Sequence, residues 1–163
     1  MKKKFDTLFL DRDGVINYKI ENDYVKSIQD FKFIPEFIYV VKDLSLLFNR
    51  IIIITNQQGI GKGLMSISDL NEIHEYMLKT INDNNGKIDK IYFCPHLASE
   101  NCLCRKPSPG MIQKAFQDYP DIDRSKSYFI GDSDSDMQAG KAEKLISIKV
   151  SLEFTVLHWF NSL

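Results

Sequence analysis

The chain has 163 residues, 44% of them apolar and 26% charged, which suits one domain with a real core and excludes a disordered tail, a fibrous repeat or a low-complexity segment. Lys and Arg number 21 against 22 for Asp and Glu, a net charge of -1, so no nucleic-acid or membrane partner is expected and any affinity for anions must be local. Lys2, Lys3 and Lys4 run almost at once into Asp11 and Asp13, leaving no signal-peptide core, and the longest aliphatic run, Ile51 to Ile54, is far short of a membrane span.

Thr7 to Leu10 predicts a buried strand entering a loop at Asp11-Arg12-Asp13-Gly14. Phe37, Val40, Val41, Leu44 and Leu47 (or Phe48) recur at helical spacing, and Arg50 to Ile54 is a second strand whose unbroken apolar run implies cover on both faces. That strand stops at Thr55-Asn56-Gln57-Gln58-Gly59. Ser66 or Ser68 can cap a helix striped by Leu70, Ile73, Met77 and Ile81. Asn82 to Lys87 is turn-like, Lys90 to Phe93 a third strand, and Gly110 to Tyr119 a helix. Tyr128 to Ile130 makes a fourth strand ending at Gly131-Asp132, Asp136 to Leu145 a short helix, and Ile146 to Val150 a last strand. This alternation predicts an α/β fold, a single doubly wound parallel sheet with helices on both faces, occupying 1–163 as one domain.

In such a sheet ligands bind outside the carboxyl ends of the strands, and here those ends carry Asp11, Asp13, Thr55, Asn56, Cys94 and Asp132. Asp132 joins the first two if the fourth strand neighbours the first. Three converging carboxylates need a cation, and an all-oxygen set favours Mg²⁺ beside a phosphate substrate. One carboxylate can then act as nucleophile and another as general acid and base, while Thr55, Asn56 and Lys106 hold the oxygens of a transferring phosphoryl group. Any one of these Asp residues alone reads as a turn or cap; the set points to a site.

All three cysteines lie between Cys94 and Cys104, which is no disulfide framework and fits a reducing compartment, the cytoplasm. Cys94-Pro95-His96, five residues, then Cys102-Leu103-Cys104 would fill a closed tetrahedral Zn²⁺ shell, a structural site that pinches the loop at about 94–106. Incidental buried cysteines are the plainer alternative. Gly59-Ile60-Gly61-Lys62-Gly63 fits neither the dinucleotide nor the P-loop pattern, and His74, His158 and Trp159 read as packing residues.

Leu10 to Asn17, Thr55-Asn56-Gln57, Lys106-Pro107 and Gly131-Asp132-x-x-x-Asp136 resemble, in order, the four motifs of the haloacid dehalogenase superfamily, most closely its small capless phosphatases of heptose bisphosphate and histidinol phosphate. The resemblance implies that Asp11 attacks phosphorus to form an aspartyl-phosphate and that Asp13 protonates the leaving oxygen, then activates water. It implies Mg²⁺ on Asp11, the backbone carbonyl of Asp13, and Asp132. Thr55 and Lys106 would stabilise the phosphoryl group, with Asp136 orienting Lys106. Asn17, Asn56, Gln57 and Arg105 would line the substrate pocket, and Zn²⁺ on Cys94, His96, Cys102 and Cys104 would hold Arg105 and Lys106 in place. Asp134 is not a family position.

Gly59 to Gly63 before a helix, and Asp136-Met137-Gln138-Ala139-Gly140, look like the heptose-bisphosphate enzymes, while the five-residue spacer after His96 is similar to the histidinol-phosphate enzymes. The expected substrate is a small sugar bisphosphate, D-glycero-D-manno-heptose 1,7-bisphosphate cleaved at position 7 for surface-polysaccharide synthesis; the alternative is histidinol phosphate. Relatives of both kinds carry a basic residue after the fourth-motif Asp, where this chain has Ser133; Arg105 and Lys62 are the candidates to replace it. Polynucleotide 3′-phosphatases share the superfamily motifs, so the motifs alone leave that activity open. A receiver-like phosphoryl-accepting module is the reading from another class. A monomer is expected.

Overall fold

A computed structural model describes residues 2–163. Five strands alternate with helices: β1 Phe5–Leu10, α1 Pro35–Leu47, β2 Phe48–Asn56, α2 Gln58–Gly61, α3 Ile67–Asp83, β3 Lys90–Cys94, α4 Gly110–Asp118, β4 Tyr128–Gly131, α5 Asp134–Ala142, β5 Ile146–Lys149 and α6 Val156–Phe160. They form one parallel sheet in the order β3-β2-β1-β4-β5. The first strand is therefore central, unlike the 2-1-3-4-5 order of receiver domains. No inserted domain interrupts the alternation among the described residues, and none of their helices is long and apolar enough to cross a membrane.

Strand residues alternate faces, so the apolar runs of β1 and β2 feed two cores. Leu8, Leu10, Ile51 and Ile53 pack with α1, α3 and α6 through Phe37, Leu44, Ile73, Met77 and Trp159. Phe9, Ile52 and Ile54 pack on the other face with Ile112 of α4 and Ala139 of α5. Pro35 opens α1, where its missing N–H costs nothing. Ser66 caps α3 in a capping box with Asp69.

Beyond shifts of a few residues at element ends and the one-turn α2, which no pattern marked, two details differ from expectation. The fifth helix starts at Asp134 rather than Asp136, because Ser133 and Asp136 form a capping box ahead of it. Val156–Phe160, which the apolar pattern alone did not mark as an element, is a helix that buries Val156 and Trp159.

Candidate active site

The sheet gathers the site at its carboxyl edge. Leu10 pairs with Ile130, so Asp11 and Asp132 leave adjacent strands side by side, and the Asp11 N–H donates to Ile130 O at 2.9 Å. Gly14 turns the loop at φ +89°, and a Cβ there would collide with the Asp132 carboxylate. A cavity of about 220 Å³ opens over these residues, lined among others by Asp11, Asp13, Gln57, Arg105 and Asp132.

Lys106 is the centre of the charge network. Its Nζ lies 2.8 Å from Asp11 Oδ1 and 2.7 Å from Asp136 Oδ1, and donates to Ile54 O at 2.8 Å. Its backbone is clasped by Asn56, whose Oδ1 accepts from Lys106 N at 3.0 Å and whose Nδ2 donates to Lys106 O at 3.2 Å. Both amide groups of Asn56 are thus engaged by the chain itself, although the residue borders the cavity. The other Asp136 oxygen accepts from Asp132 N, Ser133 N and Ser133 Oγ.

Asp13 is held by donors on both oxygens. Oδ1 accepts from Arg12 Nε and Nη2 at 3.3 and 2.8 Å and from Asn17 Nδ2 at 2.9 Å; Oδ2 accepts from Gln57 Nε2 at 3.1 Å. Gln57 also donates to Thr55 Oγ1. Asn17 and Thr55 are fully buried and do not border the cavity. Asn17, expected among the substrate contacts, sits behind Asp13 here, with Nδ2 donating to Asp13 Oδ1 and Tyr18 O and Oδ1 buried without a partner. Arg105 borders the cavity and keeps Nη1 buried without a partner. Lys62 sits apart, over the ring of Tyr24, and Asp134 is an exposed partner of Lys149.

Environment separates the carboxylates. Burial pushes Asp11 well above the ordinary carboxylate range; Lys106 pulls it back, while Asp136, Asp132 and Asp13 add repulsion. Burial also raises Asp132, with Lys19 opposing and Asp136 reinforcing. Asp13 goes the other way: burial alone would raise it, but Arg12 and the bonds from Arg12, Asn17 and Gln57 bring it below the ordinary range. Lys106 is buried, which disfavours its charge, yet Asp11 and Asp136 raise it.

The residues fit a hard divalent cation. Asp11, Asp132 and Asp136 offer oxygens within 4.8 Å of one another, and Asp132 Oδ1 is buried without a partner. A cation there would satisfy that oxygen and restore ionisation to Asp11. Since Asp136 is committed to Lys106 and to the start of α5, Asp11 and Asp132 are the available carboxylates. Beside this site Cys94, His96, Cys102 and Cys104 bring their donor atoms within 4.8 Å of one another with no disulfide among them. That all-sulfur-and-imidazole set is compatible with zinc, and Arg105 and Lys106 follow it directly, with Arg105 N donating to Cys102 Sγ at 3.4 Å.

Three participants had no site role assigned from the sequence. Lys19 borders the cavity beside Ser133, 3.5 Å from Asp132 Oδ2, and no spacing rule points to it. Arg12 stood in plain sight between two Asp residues. His74, read as a packing residue next to the stripe of α3, contacts Arg12 at 3.2 Å.

The family model described as polynucleotide kinase 3 phosphatase matches residues 5–152. The chain belongs to that family of haloacid dehalogenase phosphatases. It is accordingly a phosphoric monoester hydrolase. The D-glycero-alpha-D-manno-heptose-1,7-bisphosphate 7-phosphatase of Campylobacter jejuni is 47% identical over 137 residues, 84% of this chain and 77% of that protein. The beta-anomer 7-phosphatase of Helicobacter pylori is 40% identical over 85% of this chain and 78% of its own length. Among solved structures, the D,D-heptose 1,7-bisphosphate phosphatase of B. bronchiseptica, complexed with magnesium and phosphate, superposes with a TM-score of 0.84 at 31% identity, covering 95% of this chain and 84% of that one.

Proposed function

We propose that this phosphatase is Mg²⁺-dependent and removes the 7-phosphate of D-glycero-D-manno-heptose 1,7-bisphosphate through an aspartyl-phosphate on Asp11. The observation that carries the chemistry is the pairing of two carboxylates of opposite disposition two residues apart: Asp11, buried against Lys106, and Asp13, ringed by donors. The sugar is supported by the relatives' substrates and by Arg105 at the cavity, whose buried Nη1 has no partner and which suits a second phosphate.

Mg²⁺ would be held by Asp11, the backbone carbonyl of Asp13, and Asp132, and when bound would offset carboxylate and phosphate charge. An oxygen of Asp11 forms a bond to phosphorus as the ester P–O bond breaks, and Asp13 gives its proton to the departing sugar oxygen. A dianionic phosphoryl group beside Asp13 raises its hold on that proton. Asp13 then takes a proton from water as the water oxygen bonds to phosphorus and Asp11 leaves. Lys106 neutralises and orients the phosphoryl oxygens during transfer, while Thr55, which the cavity does not reach, accepts from Gln57 and so steadies it against Asp13. Asn56 acts here by seating Lys106, and Gln57 by holding Asp13.

Zn²⁺ in the cysteine–histidine loop is the reading its donors support, as a structural ion that fixes the approach of Arg105 and Lys106. The site is complete within one chain, which supports a single hydrolase domain working as a monomer, and the disulfide-free cysteines suit a reducing compartment such as the cytoplasm. The test is phosphate release with Mg²⁺ from both anomers of heptose 1,7-bisphosphate and from histidinol phosphate, with Asp11→Asn as the blank. A kcat/KM preference above about tenfold for a heptose anomer, absent in the variant, is expected. Preference for histidinol phosphate, or turnover surviving in Asp11→Asn, would overturn the assignment.

A further inference from the structure

Arg12 is a buried cation that joins Asp13 at the cavity to His74 and Phe31 in the body of the fold. Its side chain is fully buried, and a guanidinium stays charged at any working pH. Nε and Nη2 face Asp13 Oδ1 at 3.3 and 2.8 Å, while Nη1 lies 3.2 Å from Nε2 of His74. The guanidinium carbon is 5.7 Å from the centre of the Phe31 ring. A guanidinium has no acceptor, so His74 Nε2 must accept, and its ring is neutral with the proton on Nδ1.

This arrangement has a mechanical consequence. Arg12 is long and rotamer-rich, and one carboxylate does not fix its orientation. His74 pins the third nitrogen, so the edge carrying Nε and Nη2 stays aimed at Asp13 Oδ1. The pin sits on α3, a seventeen-residue helix with its own capping box and Leu70, Ile73 and Met77 buried against the sheet. With Oδ1 taken by Arg12 and Asn17, Oδ2 has one donor, Gln57, and is the oxygen left to exchange a proton.

We infer that His74 is a positioning residue for phosphate-ester cleavage, acting through Arg12 to hold Asp13 in the rotamer that delivers a proton to the leaving oxygen. The inference rests on the assignment of Asp13 as general acid. It separates His74 from a packing residue through the leaving group. An alkoxide is strongly basic and departs only with a proton, whereas nitrophenolate departs without one. A misaligned Asp13 therefore slows phosphoryl transfer from a sugar phosphate to Asp11 and largely spares transfer from an aryl phosphate. The difference is read in kcat/KM, because the later attack of water on the aspartyl-phosphate is common to both substrates.

The experiment compares His74→Leu and His74→Gln on heptose 1,7-bisphosphate and on p-nitrophenyl phosphate, in the Mg²⁺-loaded enzyme. His74→Leu is expected to lower kcat/KM on the heptose substrate about tenfold or more, with less than about a threefold change in kcat/KM for the aryl ester. His74→Gln, whose amide oxygen can still accept from Arg12, is expected to restore most of the loss. If His74→Leu does not fold, the same comparison is made on His74→Ala. Equal losses on both substrates, or no rescue by Gln, would show a role in packing only and overturn the inference. Asp13→Asn distinguishes the two levels. If that variant keeps heptose turnover, the assignment of Asp13 falls and takes the role of His74 with it. If it is inactive while His74→Leu keeps full kcat/KM on the heptose substrate, only the inference about His74 falls.

Discussion

Replacing Asp136 by Asn changes almost no volume, yet the structure gives the amide no orientation that works. With its nitrogen toward Lys106, a donor meets the ammonium where Asp136 Oδ1 now sits 2.7 Å away, in a pair whose side chains are 3% and 1% exposed. With the amide flipped, the nitrogen meets Asp132 N, Ser133 N and Ser133 Oγ, which all point at Oδ2. Removing one partner of a buried pair costs about 3–5 kcal/mol. Lys106 keeps Asp11 and Ile54 O, so the lower end, about 3 kcal/mol, applies. For a chain of this length that is a fall of about 6–12 °C in Tm. Asp11 would also become the one carboxylate paired with Lys106, tying up the attacking group, so kcat should fall with the stability. Thermal unfolding by circular dichroism and Mg²⁺-dependent phosphate release check both. Asp136→Ala, which opposes no donor to Lys106, should be no more damaging than Asn despite losing the whole side chain. A Tm within about 2 °C of wild type, with unchanged kcat, would refute the reasoning.

Two further predictions concern parts outside the carboxylate cluster. Stripping the metal from the Cys94, His96, Cys102 and Cys104 loop with a chelator, or Cys104→Ser, should lower kcat even at saturating Mg²⁺, because Arg105 and Lys106 leave that loop directly; metal analysis of the purified protein should find about one zinc per chain, as a four-donor closed site takes one ion. Burial, with the Arg12 charge adding to it and Asp13 opposing, pushes His74 down to about 3. The folded state therefore keeps His74 neutral while the unfolded chain protonates it below about 6.5, so stability is present above that value and is lost as pH falls toward 3, by about 2 kcal/mol between pH 7 and pH 5. Comparing denaturant midpoints of wild type and His74→Gln at both pH values isolates this share; parallel behaviour of the two would count against a neutral buried His74.

Legibility followed how local each constraint is. The apolar runs of β1 and β2 are visible because a central parallel strand is covered on both faces, and α3 is visible through its stripe and Ser66. By contrast α6 is only five residues long, and α2 is one turn inside a glycine cluster, too short for periodicity to register. The carboxylates and the cysteine–histidine loop are readable because their members are close in sequence or sit at strand exits. Arg12 and His74 are 62 residues apart, and Lys19 reaches Asp132 from a loop without any pattern, so only tertiary placement joins them. Asn17 and Asn56 illustrate a subtler limit. A short amide beside a motif can face a substrate or hold its neighbours, and only the packing reveals that Asn17 donates to Asp13 and that Asn56 clasps the backbone of Lys106.

The central position of β1 also shapes how the chain comes off the ribosome. Its two sheet neighbours arrive at very different times: Leu8 pairs with Ile51 on one side and with Tyr128, 120 residues downstream, on the other. At about 5–20 residues per second, 120 residues take on the order of 6–24 s to synthesise. Through that interval one edge of the most apolar part of the sheet has no partner, the condition that invites pairing with another nascent copy. A chain stopped before β4 would carry Asp11 on a half-bare strand and lack Asp132, so premature termination yields a sticky product as well as an inert one.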